Sequence, residues 1–144
     1  MLIQVIGCDG AGKSTFIEAL SKELNYPVLK GSSFEMAQST QDELYKKFDK
    51  LMDLENTILD RSFYCNLTYA PLYKDYAMIS NKQFNKLENK TKDKSLTIYL
   101  YADIHTLTER LNKRGDDYVK AERIPEILKG YEDVLAKSKL DYAE

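Results

Sequence analysis

The chain has 144 residues, 43% of them hydrophobic and 31% charged, with a formal net charge of -2. That length and apolar content suit one packed domain and exclude disorder, and the balanced charge leaves no electrostatic footprint for general nucleic-acid binding. No apolar run approaches a membrane span, and MLIQVIG lacks the basic region and cleavage site of a signal peptide; two cysteines and one histidine supply neither a disulfide framework nor a His-rich metal site. The expectation is a cytoplasmic protein with a small-molecule partner and neither nucleic acid nor membrane as partner. A homodimer stays open.

In chain order, LIQVI (2–6) reads as a buried strand, and residues 13–24 follow as a helix with Ile17, Leu20 and Leu24 at helical spacing. Asn25 and Pro27 punctuate its end, and PVLK (27–30) is a short strand. A long helix is predicted over 34–54, with Leu44, Phe48, Leu51 and Leu54 on one face. TILD (57–60) is a third strand, 61–73 is aromatic and partly helical, and 80–91 is a polar helix. LTIYLYA (96–102) is the strongest strand signal, with Asp103 at the N-cap of a helix marked by Ile104, Leu107 and Leu111. A loop centred on Gly115 separates it from a last helix over 122–138, with Ile124, Ile127, Leu128, Tyr131, Val134 and Leu135 on one stripe and Pro125 in the first turn. Strands alternating with helices predict an α/β fold. Its central parallel sheet has four or five strands, KLDY forming a short edge in the latter case, with helices on both faces. Ligands of such sheets bind at the carboxyl ends of the strands.

GCDGAGKST, Gly7 to Thr15, fits the P-loop pattern G-x-x-x-x-G-K-S/T at Gly7, Gly12, Lys13 and Ser14, so the α/β fold expected is that of P-loop NTPases. Glycines let backbone N–H groups approach anions, and a helix N-terminus favours negative charge. Lys13 supplies a point charge for β- and γ-phosphates, and Ser14 a hydroxyl for Mg²⁺. ATP and Mg²⁺ are the expected cofactors, on Gly7, Asp9, Gly10, Ala11, Gly12, Lys13, Ser14 and Thr15. No Asn-Lys-x-Asp guanine element follows an apolar strand, which argues against a GTPase. Asp60 ends the third strand, where a carboxylate can hold Mg²⁺ opposite Ser14, and Arg61 can clamp a phosphate.

Asp9–Gly10 within the loop, together with DRS at 60–62, resembles the thymidylate kinase and deoxynucleoside kinase group of P-loop kinases. RLNKRGDDYVKAE (110–122) is similar to a thymidylate kinase lid through Arg114, Gly115, Asp117 and Glu122, while DRSFYCN (60–66) is similar to the deoxynucleoside kinase ERS signature, with Asp60 for Glu. The resemblance runs from residue 1 to about 135 and implies one kinase domain over 1–144 with a short lid near 110–122. It departs from the group in length, and in having KGSSFE (30–35) where thymidylate kinases carry Arg-Glu-Pro-Gly-Gly.

The acceptor divides the readings. A nucleoside hydroxyl needs a general base, for which Glu35 is the candidate. A monophosphate oxygen needs positive charge for positioning, which Lys30 and Arg61 supply. The lead expectation is a thymidylate kinase-like nucleoside monophosphate kinase. A deoxynucleoside kinase is the alternative, and a non-catalytic nucleotide-binding protein the third. Arg110 and Arg114, four apart on one helix face, are the candidate lid arginines, Arg110 towards the donor nucleotide and Arg114 towards the transferring phosphate. Among Phe34, Phe63, Tyr64 and Tyr69, Tyr69 is the favoured base-stacking residue.

Overall fold

The computed structural model describes residues 1–8, 12–73, 75–100, 109, 124–136 and 142–143. The described elements are β1 (Leu2–Gly7), α1 (Lys13–Leu24), β2 (Val28–Lys30), α2 (Gln41–Leu51), β3 (Thr57–Asp60), α3 (Phe63–Tyr69) with a 3₁₀ turn (Ala70–Leu72), α4 (Asn81–Thr91), β4 (Ser95–Leu100), α5 (Ile124–Ala136) and β5 (Tyr142–Ala143). The strands form one sheet in the order β2-β3-β1-β4-β5. Every pairing is parallel. The edge strand expected at KLDY falls on Tyr142–Ala143, where Thr97 pairs with Tyr142 and Ile98 with Ala143; Lys139, Leu140 and Asp141 lie outside the described residues.

Side chains alternate across β1, and each face meets its own core. Leu2 and Ile6 join the larger core with Leu44 and Phe48 of α2, Phe63 and Tyr64 of α3, Phe84 and Leu87 of α4, and Ile127 and Tyr131 of α5. Ile3 and Val5 face Ile17 of α1 and Ile58 of β3 on the other side. The larger core is an aromatic lattice. Phe63 stacks on Tyr64 at 4.4 Å, and Phe84 meets both rings edge-on at 5.5 Å. Such pairs each contribute about 0.5–1.5 kcal/mol beyond their burial. Buried among them, Tyr64 donates its hydroxyl to Glu88 Oε2 at 2.9 Å.

The helix expected over 34–54 is shorter. Residues 31–40 form turns, and α2 begins only after Thr40, whose side chain accepts from the Glu43 N–H. Capping explains the late start, since the Thr40 oxygen satisfies a first-turn donor that has no partner within the helix. Ser80 and Gln83 make a complete capping box at the start of α4. The helix expected after Asp103, with Ile104, Leu107 and Leu111, and the Gly115 loop lie outside the described residues. Among the described residues, no helix is long and apolar enough to cross a membrane.

β1 leads into α1 on one face, and β3 leads into α3 on the other. The crevice between the carboxyl ends of β1 and β3 is therefore a topological switch point, where ligands of open parallel sheets bind.

Candidate active site

The site begins where β1 ends. A Cβ on Gly7 would lie 2.6 Å from the Leu100 carbonyl oxygen, so only glycine lets β1 pass β4 this closely. Gly12 takes φ 86° and ψ 18° at the start of α1, and no side chain caps that helix. First-turn N–H groups without a capping side chain at a positive helix end suit an anion. Lys13, the first residue of α1, is 8% exposed, and its Nζ pairs with Asp60 Oδ1 across the crevice. An ammonium has three donors, so Lys13 can hold the carboxylate and a phosphate together. Ser14 and Thr15 follow on the exposed first turn. Asp9, Gly10 and Ala11 lie outside the described residues.

Asp60 is in register with Val5 of β1 and Lys30 of β2, so three strand ends converge on it. The next residue turns the chain. Arg61 takes φ 72°, and its N–H donates to the Val5 carbonyl at 2.9 Å. Its guanidinium lies over the Tyr69 ring, 5.2 Å from the centroid. That cation–π contact, of order 0.5–2 kcal/mol, orients the arginine at the lip of the crevice. Gly31 makes the approach of β2 possible. Its N–H donates to the Asp60 carbonyl at 3.0 Å, and a Cβ there would lie 2.0 Å from the Arg61 carbonyl oxygen.

The aromatic candidates separate. Phe63, Tyr64 and Tyr69 are buried in the core, Tyr69 with Arg61 over its ring and Tyr131 against it at 5.9 Å. Phe34 is 48% exposed, on the turn that follows β2. It meets Tyr76 edge-on at 5.1 Å, and Tyr76 stacks on Tyr73 at 5.0 Å. The two halves of this ledge are tied together: the Ala77 N–H donates to the Ala37 carbonyl at 2.8 Å. Buried Asn66 holds the second half from α3. Its Nδ2 donates to the Ala77 carbonyl at 2.9 Å, and its Oδ1 accepts from the Ile79 N–H at 3.0 Å. Glu35 is exposed on the same turn as Phe34, and Lys30 is exposed at the end of β2. Arg110, Arg114, Asp117 and Glu122 of the expected lid lie outside the described residues, as does His105.

Three contributors carried little sequence signal. Gly31 could have been suspected as a glycine directly after a strand. Asn66 reads as one more polar residue of an aromatic segment. Tyr131 reads as part of the apolar stripe of the last helix, yet its hydroxyl reaches the Gly7 carbonyl, 124 residues away in sequence.

Sheet order and the switch-point crevice define an α/β fold that is shared with solved nucleoside and nucleotide kinases. No protein-family model matches the chain. It is 43% identical over 139 residues to the SPβ prophage-derived protein YorR of Bacillus subtilis, covering 96% of this chain and 84% of that one. The chain belongs to the YorR family. The crystal structure of YorR from Bacillus subtilis in complex with phosphorylated GDP superposes with a TM-score of 0.92 at 42% identity, over 99% of this chain and 83% of YorR. The fold is shared more distantly with deoxyadenosine kinase from M. mycoides with bound dATP (TM-score 0.56, 22% identity, 100% of this chain and 90% of that one). Thymidylate kinase from Candida albicans shares it too (TM-score 0.56, 19% identity, 99% and 82%).

Proposed function

We propose that the protein is a phosphotransferase that moves the γ-phosphate of ATP to a nucleoside monophosphate, in the manner of a thymidylate kinase. The observation that carries this reading is the pairing of cations with the strand ends on the acceptor side. Lys30 lies in register with Asp60, and Arg61 is held over Tyr69 beside them. Glu35, the candidate base for a nucleoside hydroxyl, sits instead on an exposed turn. The YorR complex with phosphorylated GDP supports a nucleotide ligand. Kinases of unrelated small molecules also use this fold, so the acceptor is argued from the site rather than from the architecture.

In this reading Gly7 to Thr15 cradle the donor phosphates, with Lys13 on the β- and γ-phosphates. A hydroxyl and a carboxylate, Ser14 and Asp60, are hard oxygen donors of the kind Mg²⁺ takes, in the small number it takes when phosphates complete its shell. Among the described residues, no cluster of three or more acidic, Cys or His side chains offers a closed metal cage. Bound at Ser14 and Asp60, the ion would neutralise phosphate charge. Arg61 and Lys30 hold the acceptor phosphate, which is already nucleophilic and needs orientation rather than deprotonation. Arg114, with Arg110, would complete the charge around the transferring group. Phe34 replaces Tyr69 as the base-stacking residue, because its ring is exposed while that of Tyr69 is covered.

The test is an ADP-release assay over a panel of nucleosides and monophosphates, with adenine, guanine, cytosine, thymine and uracil bases. Turnover with one or more monophosphates and none with nucleosides is expected. Turnover with nucleosides alone moves the role to Glu35 and the deoxynucleoside kinase reading. ATP binding without any acceptor-stimulated ADP formation establishes the non-catalytic reading. With the accepted monophosphate, Phe34→Ala is expected to raise the acceptor KM by about 5- to 100-fold, the range set by a stacking contact of about 1–3 kcal/mol. The ATP KM should change little, and unchanged acceptor KM would remove Phe34 from the site.

A further inference from the structure

One buried hydroxyl joins the two halves of the site. Tyr131 of α5 is fully buried, and its Oη lies 3.2 Å from the Gly7 carbonyl oxygen and 3.2 Å from Cys65 Sγ. A hydroxyl carries one proton, and a carbonyl oxygen can only accept. Tyr131 therefore donates to Gly7, and the Cys65 thiol is placed to donate to the Tyr131 oxygen. Burial, with Cys65 and Tyr69 adding to it, pushes the Tyr131 hydroxyl well above the ordinary tyrosine range, so it stays a donor throughout neutral pH.

The same ring reaches the acceptor side. Tyr131 packs against Tyr69 edge-to-face at 5.9 Å, and Tyr69 carries the Arg61 guanidinium on its face. Its partner Cys65 lies on α3, the helix that follows Arg61. α5 is seated closely enough on α3 that a Cβ on Gly130 would lie 3.0 Å from Thr68 Cγ2. The peptide plane is rigid, so fixing the Gly7 carbonyl fixes the orientation of the Gly7–Cys8 peptide, from which the phosphate loop leaves β1.

We propose that Tyr131 is a positioning residue that sets the phosphate loop and Arg61 in one frame, through its hydroxyl on Gly7 and its ring against Tyr69. α5 thereby determines the spacing between donor phosphates and acceptor phosphate, a spacing on which transfer depends steeply. The acceptor half of this inference rests on the role proposed above for Arg61. The donor half needs only nucleotide binding.

Tyr131→Phe keeps the ring and removes the donor. Cys65→Ala removes the thiol and leaves the hydroxyl free to donate to Gly7. Gly130→Ala pushes α5 against Thr68 without touching either group. For each variant, isothermal titration with ADP·Mg²⁺, amide NMR shifts of Cys8 and Gly12, and steady-state kinetics with the accepted monophosphate are compared with the parent. Tyr131→Phe is expected to weaken ADP binding about 3- to 10-fold, move both amide signals and lower kcat about 10-fold with acceptor KM within about twofold. Gly130→Ala should shift ADP affinity in the same direction, and Cys65→Ala should stay within about twofold of the parent. ADP affinity and amide shifts that match the parent in both Tyr131→Phe and Gly130→Ala overturn the proposal. Equal ADP losses in Cys65→Ala and Tyr131→Phe also overturn it, because they would reflect general core damage. If Tyr131→Phe does not fold, Gly130→Ala against Cys65→Ala decides by the same criterion. If no acceptor turns over at all, the function proposed above fails, while the ADP and NMR readings still decide the donor half.

Discussion

Lys13→Ala lowers phosphoryl transfer by about 10²- to 10³-fold, the effect of deleting one preorganised charge aimed at a transition state. The physical case rests on where Lys13 sits. Its stem is buried at the start of α1, and its ammonium meets Asp60 at the crevice between β1 and β3. Burial of the stem fixes the charge in place, so no reorganisation is needed when phosphate arrives. Stability should respond far less. The Asp60 side chain is 30% exposed, so solvent screens the charge that the substitution leaves behind. Solvent-exposed ion pairs contribute about 0–1 kcal/mol, and this one meets solvent on its Asp60 side. ATP titration and thermal melting of the same variant separate the two effects. A variant that melts like the parent and binds ATP with less than about fivefold loss would remove Lys13 from phosphate binding.

The second large effect falls on a residue with no functional group. Gly31→Ala places a methyl 2.0 Å from the Arg61 carbonyl oxygen and 3.1 Å from Leu59 Cβ. The first of these is backbone, so relief requires β2 and β3 to separate at their carboxyl ends. Overpacking of this kind costs about 1–3 kcal/mol. For a chain of this size that corresponds to roughly 2–12 °C in melting temperature. The functional loss should exceed the stability loss. Arg61 holds φ 72° between its bond to Val5 and the Gly31 contact, so the shift moves its guanidinium away from Tyr69. Acceptor KM is expected to rise about 10-fold or more while ADP affinity stays within about threefold, read by kinetics and calorimetry. An acceptor KM unchanged in a destabilised variant would detach Arg61 from acceptor binding.

Local chemistry made several parts of the molecule legible in advance. The β1–loop–α1 unit follows from glycine conformation, helix polarity and one lysine, all local to nine residues. TILD forms the predicted strand, because an apolar run of that length closed by Asp60 has few alternatives in an α/β chain. The stripe of the last helix was equally readable, as Ile124, Ile127, Tyr131, Val134 and Leu135 are all buried. The overlong α2 shows the limit. Hydrophobic spacing extends the helix back to residue 34, but turn formation at Ser33 and the Thr40 cap compete locally and win. Among the aromatics, the sequence reading favoured Tyr69 for base stacking, yet the fold buries its ring and leaves that of Phe34 exposed. Burial separated Phe34 from Phe63, Tyr64 and Tyr69, and burial is a property of the packed chain.

The sequence by itself determined the α/β class with its parallel sheet, the β1–α1 strand–helix unit and the acidic end of β3. Each depends on residues within a single supersecondary unit, where backbone geometry and side-chain chemistry act over a few positions. Tertiary structure alone decided which cations flank Asp60, which aromatic ring meets solvent, and that a tyrosine near the end of the chain holds the carbonyl at which the phosphate loop begins. Those are juxtapositions of residues dozens of positions apart. They arise from strand order and helix docking, which set distances that no local pattern encodes.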